Sequence, residues 1–166
     1  MVLESQRLIL KALNSKQLYM LLNDKNGFEK ALNYTYDGEN LDSEMGQIFS
    51  DQIPLVKEVG NQFIWNTFWM ITVEKCNVVI GSIGFKSLPD ENGEIEINYG
   101  LNPRYWNVGY ATEAVSTLSQ WALSFDAINR IVAEVESWNI ASQKVLNKCG
   151  YHYFKTIEKC YWYELK

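Results

Sequence analysis

EIEINYGLNPRYWNVGYATEAVSTLSQWALSFD, residues 94–126, decides the fold of this 166-residue chain. At its start, polar and apolar side chains alternate over residues 94–101, which is the period of a half-buried β-strand. Towards its end the apolar residues recur three and four positions apart, as on one face of an amphipathic helix: Ala111, Ala114, Val115, Leu118, Trp121, Ala122 and Phe125. The stretch therefore predicts a strand, a tight loop and a helix.

The loop between that strand and that helix ends in small residues. Asn102-Pro103 is a turn signal, and Gly109 and Ala111 keep the backbone clear of bulky side chains. The first N–H groups of a helix have no partner within the helix and lie at the positive end of its dipole, so this loop favours a phosphate. Taken alone, a Gly-x-Ala sequence is more often part of an ordinary loop than of a phosphate site.

Two blocks of sequence carry a family resemblance. Residues 106–111 resemble the Q/R-x-x-G-x-G/A pyrophosphate loop of the GNAT acetyltransferase superfamily, in the W-x-x-G-Y-A-T-E-A form of its ribosomal-protein N-terminal acetyltransferase branch. Asn139-Ile140-Ala141-Ser142 and then residues 145–151, VLNKCGY, resemble that branch's N-x-x-S…L-x-K-x-G-F/Y segment. Both blocks occur in the same order as in the family. The resemblance is strong over residues 78–151 and weak before residue 68.

The resemblance implies an α/β fold of the GNAT acyl-CoA N-acyltransferase type, layered as α+β. Its mixed, mostly antiparallel sheet has one splayed parallel strand pair and is flanked by helices. Apolar patterns predict strands over 7–13, 68–74, 78–87, 94–101, 130–135, 151–158 and 160–165, and helices over 15–22, 110–125 and 140–148. The strand at 130 follows a crossover helix and should lie parallel to the strand at 94. We expect a single domain spanning residues 1–166.

A further helix is predicted in the N-terminal half, starting near Asp42 or Ser43. Pro54 should bend or divide this helix. Its inward residues are expected to be Met45, Ile48, Phe49, Ile53, Leu55, Val56 and Val59.

Composition narrows the possible partners and cofactors. The formal net charge of −5 disfavours a protein that grips nucleic-acid phosphates and suits a cationic amine. Cys76, Cys149 and Cys160 are scattered, without metal-ligand spacing or a disulfide framework, so no metal site is predicted. No apolar run reaches membrane-spanning length, and the N-terminus lacks a signal-peptide pattern. We therefore expect a cytoplasmic protein without a membrane or nucleic-acid partner.

The resemblance implies acetyl-CoA as the cosubstrate and direct transfer of its acetyl group to an amine. This chemistry needs positioning, a route for the amine proton, oxyanion stabilisation near the Tyr99 and Gly100 backbone, and protonation of the thiolate. It needs no covalent intermediate, so Cys149 and His152 are expected to be packing residues. The implied coenzyme contacts are Tyr99, Leu101, Trp106, Asn107, Val108, Gly109, Tyr110, Ala111, Thr112, Asn139 and Ser142.

The two catalytic candidates also come from the resemblance. Many GNAT enzymes have a tyrosine seven residues after the motif asparagine, where this chain has Leu146. The ribosomal-protein branch has a serine three residues after that asparagine, which makes Ser142 the candidate acid, directly or through water; alternatively, Ser142 only caps or packs the helix start. Glu96 aligns with the family's E-I-x-Y carboxylate and is the candidate base; alternatively, it is a solvated carboxylate on a strand face.

One position departs from the branch pattern, which usually has glycine after the tryptophan of the loop. Here the residue is Asn107, whose side chain could weaken coenzyme binding. Asparagine tolerates positive φ better than most residues, so the loop conformation is expected to survive.

The acceptor is the least specified part. The helices before residue 68 and the last hairpin are expected to line the acceptor side. Their aromatic residues either form a pocket for a cation or are ordinary core residues: Tyr34, Tyr36, Trp65, Trp69, Tyr161 and Trp162. A peptide N-terminal α-amine, a polyamine and a drug amine remain open as acceptors. A non-catalytic acyl-CoA-binding module and another phosphate-ligand enzyme are the rival functions. A homodimer is compatible with the family.

Overall fold

A nine-stranded sheet organises the computed structural model, which describes residues 1–42 and 44–166 and leaves out the side chain of Asn61. The predicted helix start at Ser43 falls outside these residues. The strands are β1 Val2–Glu4, β2 Leu8–Ala12, β3 Thr35–Tyr36, β4 Phe68–Val73, β5 Val78–Phe85, β6 Glu94–Leu101, β7 Arg130–Glu136, β8 His152–Ile157 and β9 Cys160–Leu165. The helices are α1 Ser15–Asn23, α2 Lys25–Leu32, α3 Glu44–Glu58, α4 Tyr110–Leu123 and α5 Ile140–Lys148, with short 3₁₀ helices at Gly60–Trp65, Glu74–Cys76 and Pro103–Tyr105.

The order of strands in the sheet is β1-β2-β4-β5-β6-β7-β9-β8. Neighbours along this path are antiparallel except β6 and β7, whose parallel pairing confirms the predicted crossover. β3 lies off the path and pairs in parallel with the first residues of β5. The patterns did not predict β1 and β3, because three and two residues are too few to show a period of two.

Helices cover the two faces of the sheet over different strands. α4 and α5 pack through their apolar stripes on one face, where the buried side chains include Leu10, Ile83, Ile97, Leu118 and Leu146. The helices α1, α2 and α3 cover the opposite face near β4 and β5, where the buried side chains include Leu18, Phe28, Phe49, Met70 and Val79. Each fully buried side chain of this kind contributes about 1.5–3 kcal/mol.

α1 begins where the sequence predicts, through a capping box. The Asn14 side chain accepts the Gln17 N–H at 2.9 Å, and the Gln17 side chain accepts the Asn14 N–H at 3.0 Å. Two backbone donors at the helix start are thereby satisfied.

Among the described residues, no helix is long and apolar enough to cross a membrane.

The structure excludes one of the two effects considered for Pro54, the division of α3, and corrects the predicted inward face of this helix. The helix is not divided at Pro54, which lies on its exposed side, where the bond lost with the proline N–H costs least. Phe49 and Val56 are buried as predicted, but Ile48 and Leu55 are 39% and 45% exposed. Only a narrow stripe of α3 faces the protein, so these flanking apolar residues point outward.

Two of the aromatic residues expected near the acceptor belong instead to the core beneath α4. The rings of Trp65 and Trp69 lie 4.7 and 5.1 Å from the ring of Trp121. The core-packing alternative therefore holds for both. Phe125, expected on the inner face of α4, follows the end of that helix and is 39% exposed.

Candidate active site

A cleft opens where β6 and β7 separate. The two strands pair at Glu94↔Arg130, Ile95↔Ile131 and Glu96↔Val132, and no further pair follows in the described residues. The backbone beyond diverges around a cavity of about 300 Å³, lined among others by Asn98 and Tyr99 of β6, Glu134 and Val135 of β7, and Asn139 and Ser142 at the start of α5. The N–H and C=O groups that a neighbouring strand would have used face this opening.

The start of α5 is fixed by Asn139. Its side-chain oxygen accepts the Ser142 N–H at 3.0 Å, which makes Asn139 the N-cap of the helix. Ser142 lines the cavity, and its side chain is hydrogen-bonded to the Tyr99 hydroxyl. The capping role considered for Ser142 thus belongs to Asn139.

Tyr99 connects the two sides of the cleft. Its hydroxyl donates to the Ser142 carbonyl at 3.3 Å, so β6 holds the first turn of α5. Burial raises the pKa of Tyr99 to about 12, and the hydroxyl stays protonated at neutral pH.

Glu96 lies beside the closed end of the cleft, at the last position where β6 and β7 still pair. Its Oε1 is 2.5 Å from the Nζ of Lys86, which also reaches Glu134 on β7 at 3.3 Å. Burial by itself would lower the pKa of Lys86, but the two carboxylates outweigh that effect and raise it. The predicted base is therefore held in an ion pair.

The predicted phosphate loop has the required backbone conformation. Asn107 has φ 62° and Gly109 has φ 88°, both in the left-handed region. The expectation that asparagine tolerates this conformation at position 107 is confirmed. Gly109 is the N-cap of α4 and has no side chain that could cap the helix. The N–H groups of the first turn therefore point out of the helix and have no partner among the described residues; they belong to Tyr110, Ala111 and Thr112.

The remaining loop contacts extend from the end of β6. Leu101 is buried, and its carbonyl accepts the Trp106 indole N–H at 2.9 Å. The side chains of Trp106 and Val108 are 54% and 51% exposed. The loop thus exposes an apolar rim next to its free N–H groups.

Cys149 and His152 are not arranged as a nucleophile and its base. The Cys149 thiol donates to the Thr112 carbonyl at 3.3 Å, and burial raises its pKa to about 11. His152 is exposed at the start of β8. A protonated thiol of this kind is a packing group.

An ion pair that the sequence did not reveal joins the N-terminal strands to the phosphate loop. The Arg7 Nε lies 2.7 Å from Glu113, and its Nη1 donates to the Val108 carbonyl at 3.1 Å. Glu113 also accepts from the Ser5 hydroxyl at 2.8 Å. Burial raises the pKa of Glu113, but the bonds from Arg7 and Ser5 outweigh it, and the net pKa is lowered.

The loop after β3 is a second feature that sequence reasoning missed as functional. The pattern Asp37-Gly38-Glu39-Asn40 indicated only a break between elements. In the structure the Glu39 carboxylate accepts the Ser82 hydroxyl at 2.8 Å, on the sheet face opposite α4. This carboxylate lies against Gly100, next to the last residue of β6.

The comparisons with known proteins agree with this architecture. Residues 7–152 match the family described as Acetyltransferase (GNAT) domain. The chain is 33% identical over 153 residues to the uncharacterized N-acetyltransferase YjdG of Bacillus subtilis, covering 90% of this chain and 89% of that protein. The chain belongs to the GNAT acetyltransferase family, the class of acetyl-CoA-dependent N-acetyltransferases.

Solved structures share the fold at low sequence identity. RimL, a ribosomal L7/L12 α-N-protein acetyltransferase in complex with coenzyme A, superposes with a TM-score of 0.71 at 15% identity, covering 99% of this chain and 97% of that chain. The ribosomal-protein-S5-alanine acetyltransferase of Vibrio fischeri gives 0.68 at 15% identity, with coverage of 99% and 96%. The predicted fold class is confirmed.

Proposed function

We propose that this chain transfers the acetyl group of acetyl-CoA directly to a primary amine in the cleft between β6 and β7. The observation that carries the proposal is the separation of the two strands after the Glu96–Val132 pair, with Asn139 and Ser142 facing the opening. A gap between parallel strands offers unpaired backbone groups to an extended, amide-containing ligand. The pantetheine arm of the coenzyme is a ligand of this kind.

The coenzyme phosphates fit the start of α4. Unpaired N–H groups, the helix dipole and the absence of a side chain at Gly109 together favour an anion there. The coenzyme A bound to RimL supports this placement through the shared fold. The residues proposed to contact the coenzyme are Tyr99, Leu101, Trp106, Asn107, Val108, Gly109, Tyr110, Ala111, Thr112, Asn139 and Ser142.

The transfer forms a C–N bond and breaks the C–S bond of the thioester. The amine nitrogen loses a proton, and the departing thiolate gains one. Ser142 is proposed to supply the thiolate proton, directly or through water, because it lines the cavity at the first turn of α5 and its side chain is hydrogen-bonded to the Tyr99 hydroxyl. The end of β6 near Tyr99 is proposed to polarise the carbonyl.

The charge around the cleft supports a cationic acceptor. Glu134 and Glu136 line the cavity, and Glu96 lies beside it, while Lys86 is the one ammonium among these four groups. This surplus of carboxylates attracts a protonated amine. The first acceptor to test is a peptide N-terminal α-amine, since RimL and the Vibrio fischeri enzyme are named for ribosomal proteins, and Glu96 is the base to test first.

The proposal is tested by binding and then by turnover. We expect acetyl-CoA and free CoA, but not ATP, to raise the unfolding temperature; ligand at 100 times its Kd adds about 2.7 kcal/mol of stability. Release of free thiol is then measured with peptide N-termini, polyamines and small amines. A coenzyme shift without acceptor-dependent thiol release would favour a binding module, and no shift at millimolar acetyl-CoA would refute the proposal.

A further inference from the structure

We propose that Glu39 is the acceptor-binding carboxylate of this enzyme: it holds the incoming ammonium on the sheet face opposite α4 and takes its proton. This inference rests on the proposed acetyl transfer and deepens it by naming a residue on the acceptor side. The residue lies outside both sequence blocks that carry the family resemblance.

The position of Glu39 follows from the pairing of β3. β5 pairs with β6 from Gly81 to Phe85, and β3 occupies the same edge nearer the start of β5, at Val78 and Val79, with Ile80 between the two pairings. β3 thus continues the line of β6. The chain that leaves β3 turns over the sheet at the end of β6, and this turn carries Glu39.

The carboxylate fits against a glycine of β6. A Cβ built on Gly100 would overlap the Glu39 Oε1, and the other oxygen accepts the Ser82 hydroxyl at 2.8 Å. Gly100 pairs with Ser82 across β5 and β6, so both neighbours belong to the same rung of the sheet. A side chain at position 100 would exclude the carboxylate from this site.

Glu39, at Gly100, and Glu96 lie on either side of Asn98 along the same face of β6. Asn98 lines the cleft and is two residues from Gly100 on the same face, which corresponds to about 7 Å at the rise of a strand. Glu96 is likewise two residues from Asn98, but in the other direction, where β6 and β7 are still paired. Glu39 therefore lies toward the unpaired end of β6, and an amine that approaches the cleft from that end would pass Glu39 before it reaches Glu96.

The loop that carries Glu39 is held in place by the connection between β6 and α4. Asp37 accepts the Tyr105 hydroxyl at 2.7 Å and an Arg104 N–H at 3.1 Å, and its carbonyl accepts the Asn102 side-chain amide at 3.1 Å. The Tyr36 hydroxyl donates to the Glu39 carbonyl at 3.1 Å. The same connection leads into the phosphate loop, so the carboxylate and the coenzyme loop share one support.

No described lysine or arginine forms an ion pair with Glu39, in contrast to Glu96 with Lys86. Burial raises the pKa of Glu39, although the Ser82 hydrogen bond opposes this. The charged and titratable groups of the elements around it are Tyr36, Asp37, Arg104, Tyr105 and Lys25, whose Nζ lies 5.3 Å from the Tyr36 ring. An incoming ammonium would supply the missing positive partner.

A ligand has space to approach this carboxylate. Glu39 is partly exposed and lines a second cavity, of about 320 Å³, whose lining combines the apolar residues Leu21, Leu22 and Leu41 and Tyr36 with the charged groups Asp37, Asp42 and Lys25, so carboxylates outnumber the one ammonium there. An acceptor with a protonated amine and a small apolar body matches these surroundings. Proton transfer from the ammonium to a Glu39 oxygen gives the neutral amine, which then attacks the thioester carbon; after transfer the carboxyl returns its proton to water.

The test compares Glu39→Gln with Glu96→Gln and with Glu91→Gln, which removes a carboxylate from an exposed turn. Glutamine keeps an oxygen for the Ser82 hydroxyl, so the fold is preserved, and Glu39→Asp provides a shortened carboxylate. We expect E39Q to lower kcat/KM for the amine about 100-fold and to remove the acidic limb of its pH profile. The Kd for acetyl-CoA, measured by calorimetry, should stay within about twofold of wild type, since Glu39 lies away from the phosphate loop. E39D should be intermediate and E91Q unchanged.

Three results would contradict the role of Glu39, and they can be distinguished from one another. Wild-type turnover combined with an E39Q variant of unchanged kcat/KM and pH profile would overturn this inference alone. A loss in E96Q with none in E39Q would assign the proton to Glu96 and overturn it as well. Acetyl-CoA binding without acetylation of any amine by the wild-type protein would refute the proposed function and, with it, the role of Glu39.

Discussion

The coenzyme side and the acceptor side of this protein are built in different ways. On the coenzyme side, residues 94–151, the contacts that start the two helices are local: Gly109 starts α4, and Asn139 accepts the N–H of Ser142, three positions further on, at the start of α5. On the acceptor side, residues 13–67, Glu39 meets Ser82, and Asp37 meets Tyr105 across long sequence separations. The motifs of the coenzyme side are therefore visible in the sequence, whereas the acceptor site proposed around Glu39 depends on tertiary contacts.

The largest expected effect separates chemistry from coenzyme binding. Ser142→Ala removes the proposed proton donor to the thiolate and should lower kcat by about 100-fold. Because Asn139 rather than Ser142 caps α5, the unfolding temperature should change less than in Asn139→Ala, and kcat should fall far more than the affinity for acetyl-CoA. Asn139→Ala is the matched control and should lose about 1 kcal/mol of stability. A kcat within threefold of wild type in S142A would exclude Ser142 as the donor.

The next effect concerns the coenzyme side alone. Gly109→Ala places a side chain at φ 88°, which costs about 1–2 kcal/mol, and we expect acetyl-CoA to bind about 10-fold more weakly as the loop relaxes. Calorimetric titration measures this change. Gly60→Ala is the control, since its φ is 55° and a Cβ there meets nothing within 4 Å. Equal coenzyme affinity in G109A and wild type would contradict the phosphate-loop assignment.

A smaller effect is expected on the acceptor side. Tyr36→Phe removes the hydrogen bond that holds the Glu39 backbone, a loss of about 1 kcal/mol that should raise the KM for the amine about fivefold. Steady-state kinetics at saturating acetyl-CoA give this KM. Tyr34→Phe, two residues away, should behave like wild type. A change in the Kd for acetyl-CoA in Y36F would show that the two sides are not separable.

The smallest effect is a change of stability with pH. Burial raises the pKa of Glu39 above its ordinary value of 4.5, so the native state binds this proton more tightly than the unfolded state does. The free energy of unfolding therefore falls as pH rises from below 4.5 through the raised pKa. Glutamine cannot titrate, and E39Q should unfold at a higher temperature than wild type at pH 8 but at the same temperature near pH 4. Parallel melting curves across this range would contradict the pKa direction.

The patterns in the sequence predicted most of the sheet and the coenzyme side. α5 has the predicted boundaries, and β6 and β7 form the predicted parallel pair, because strand period, helix stripe and caps are properties of neighbouring residues. Whether Glu96 and Ser142 act in catalysis stays a prediction. The ion pair of Glu96 with Lys86 lies between strands and had no local signal.

The features that the sequence did not predict depend on contacts between residues that are far apart in the chain. β3 is too short for a pattern, and its pairing with β5, together with contacts to Asn102 and Tyr105, determines where the next loop lies. The apolar stripe of α3 is wider than the surface that this helix buries, so the sequence predicted Ile48 and Leu55 to be buried although they are exposed. Trp65 and Trp69 could not be assigned to the sheet face beneath α4 from the sequence, because the assignment depends on the contacts of both rings with Trp121. Each miss concerns which surfaces meet, not which elements form.

The ion pair between Arg7 and Glu113 has a consequence for the order of folding. It joins residues 106 positions apart, and contacts of such separation pay the largest loop-closure entropy. We expect it to form after the folding transition state, so that its removal speeds unfolding and hardly alters the folding rate. The phosphate loop would then be among the last parts of the chain to become native, and a molecule able to bind acetyl-CoA would be one that has completed its folding.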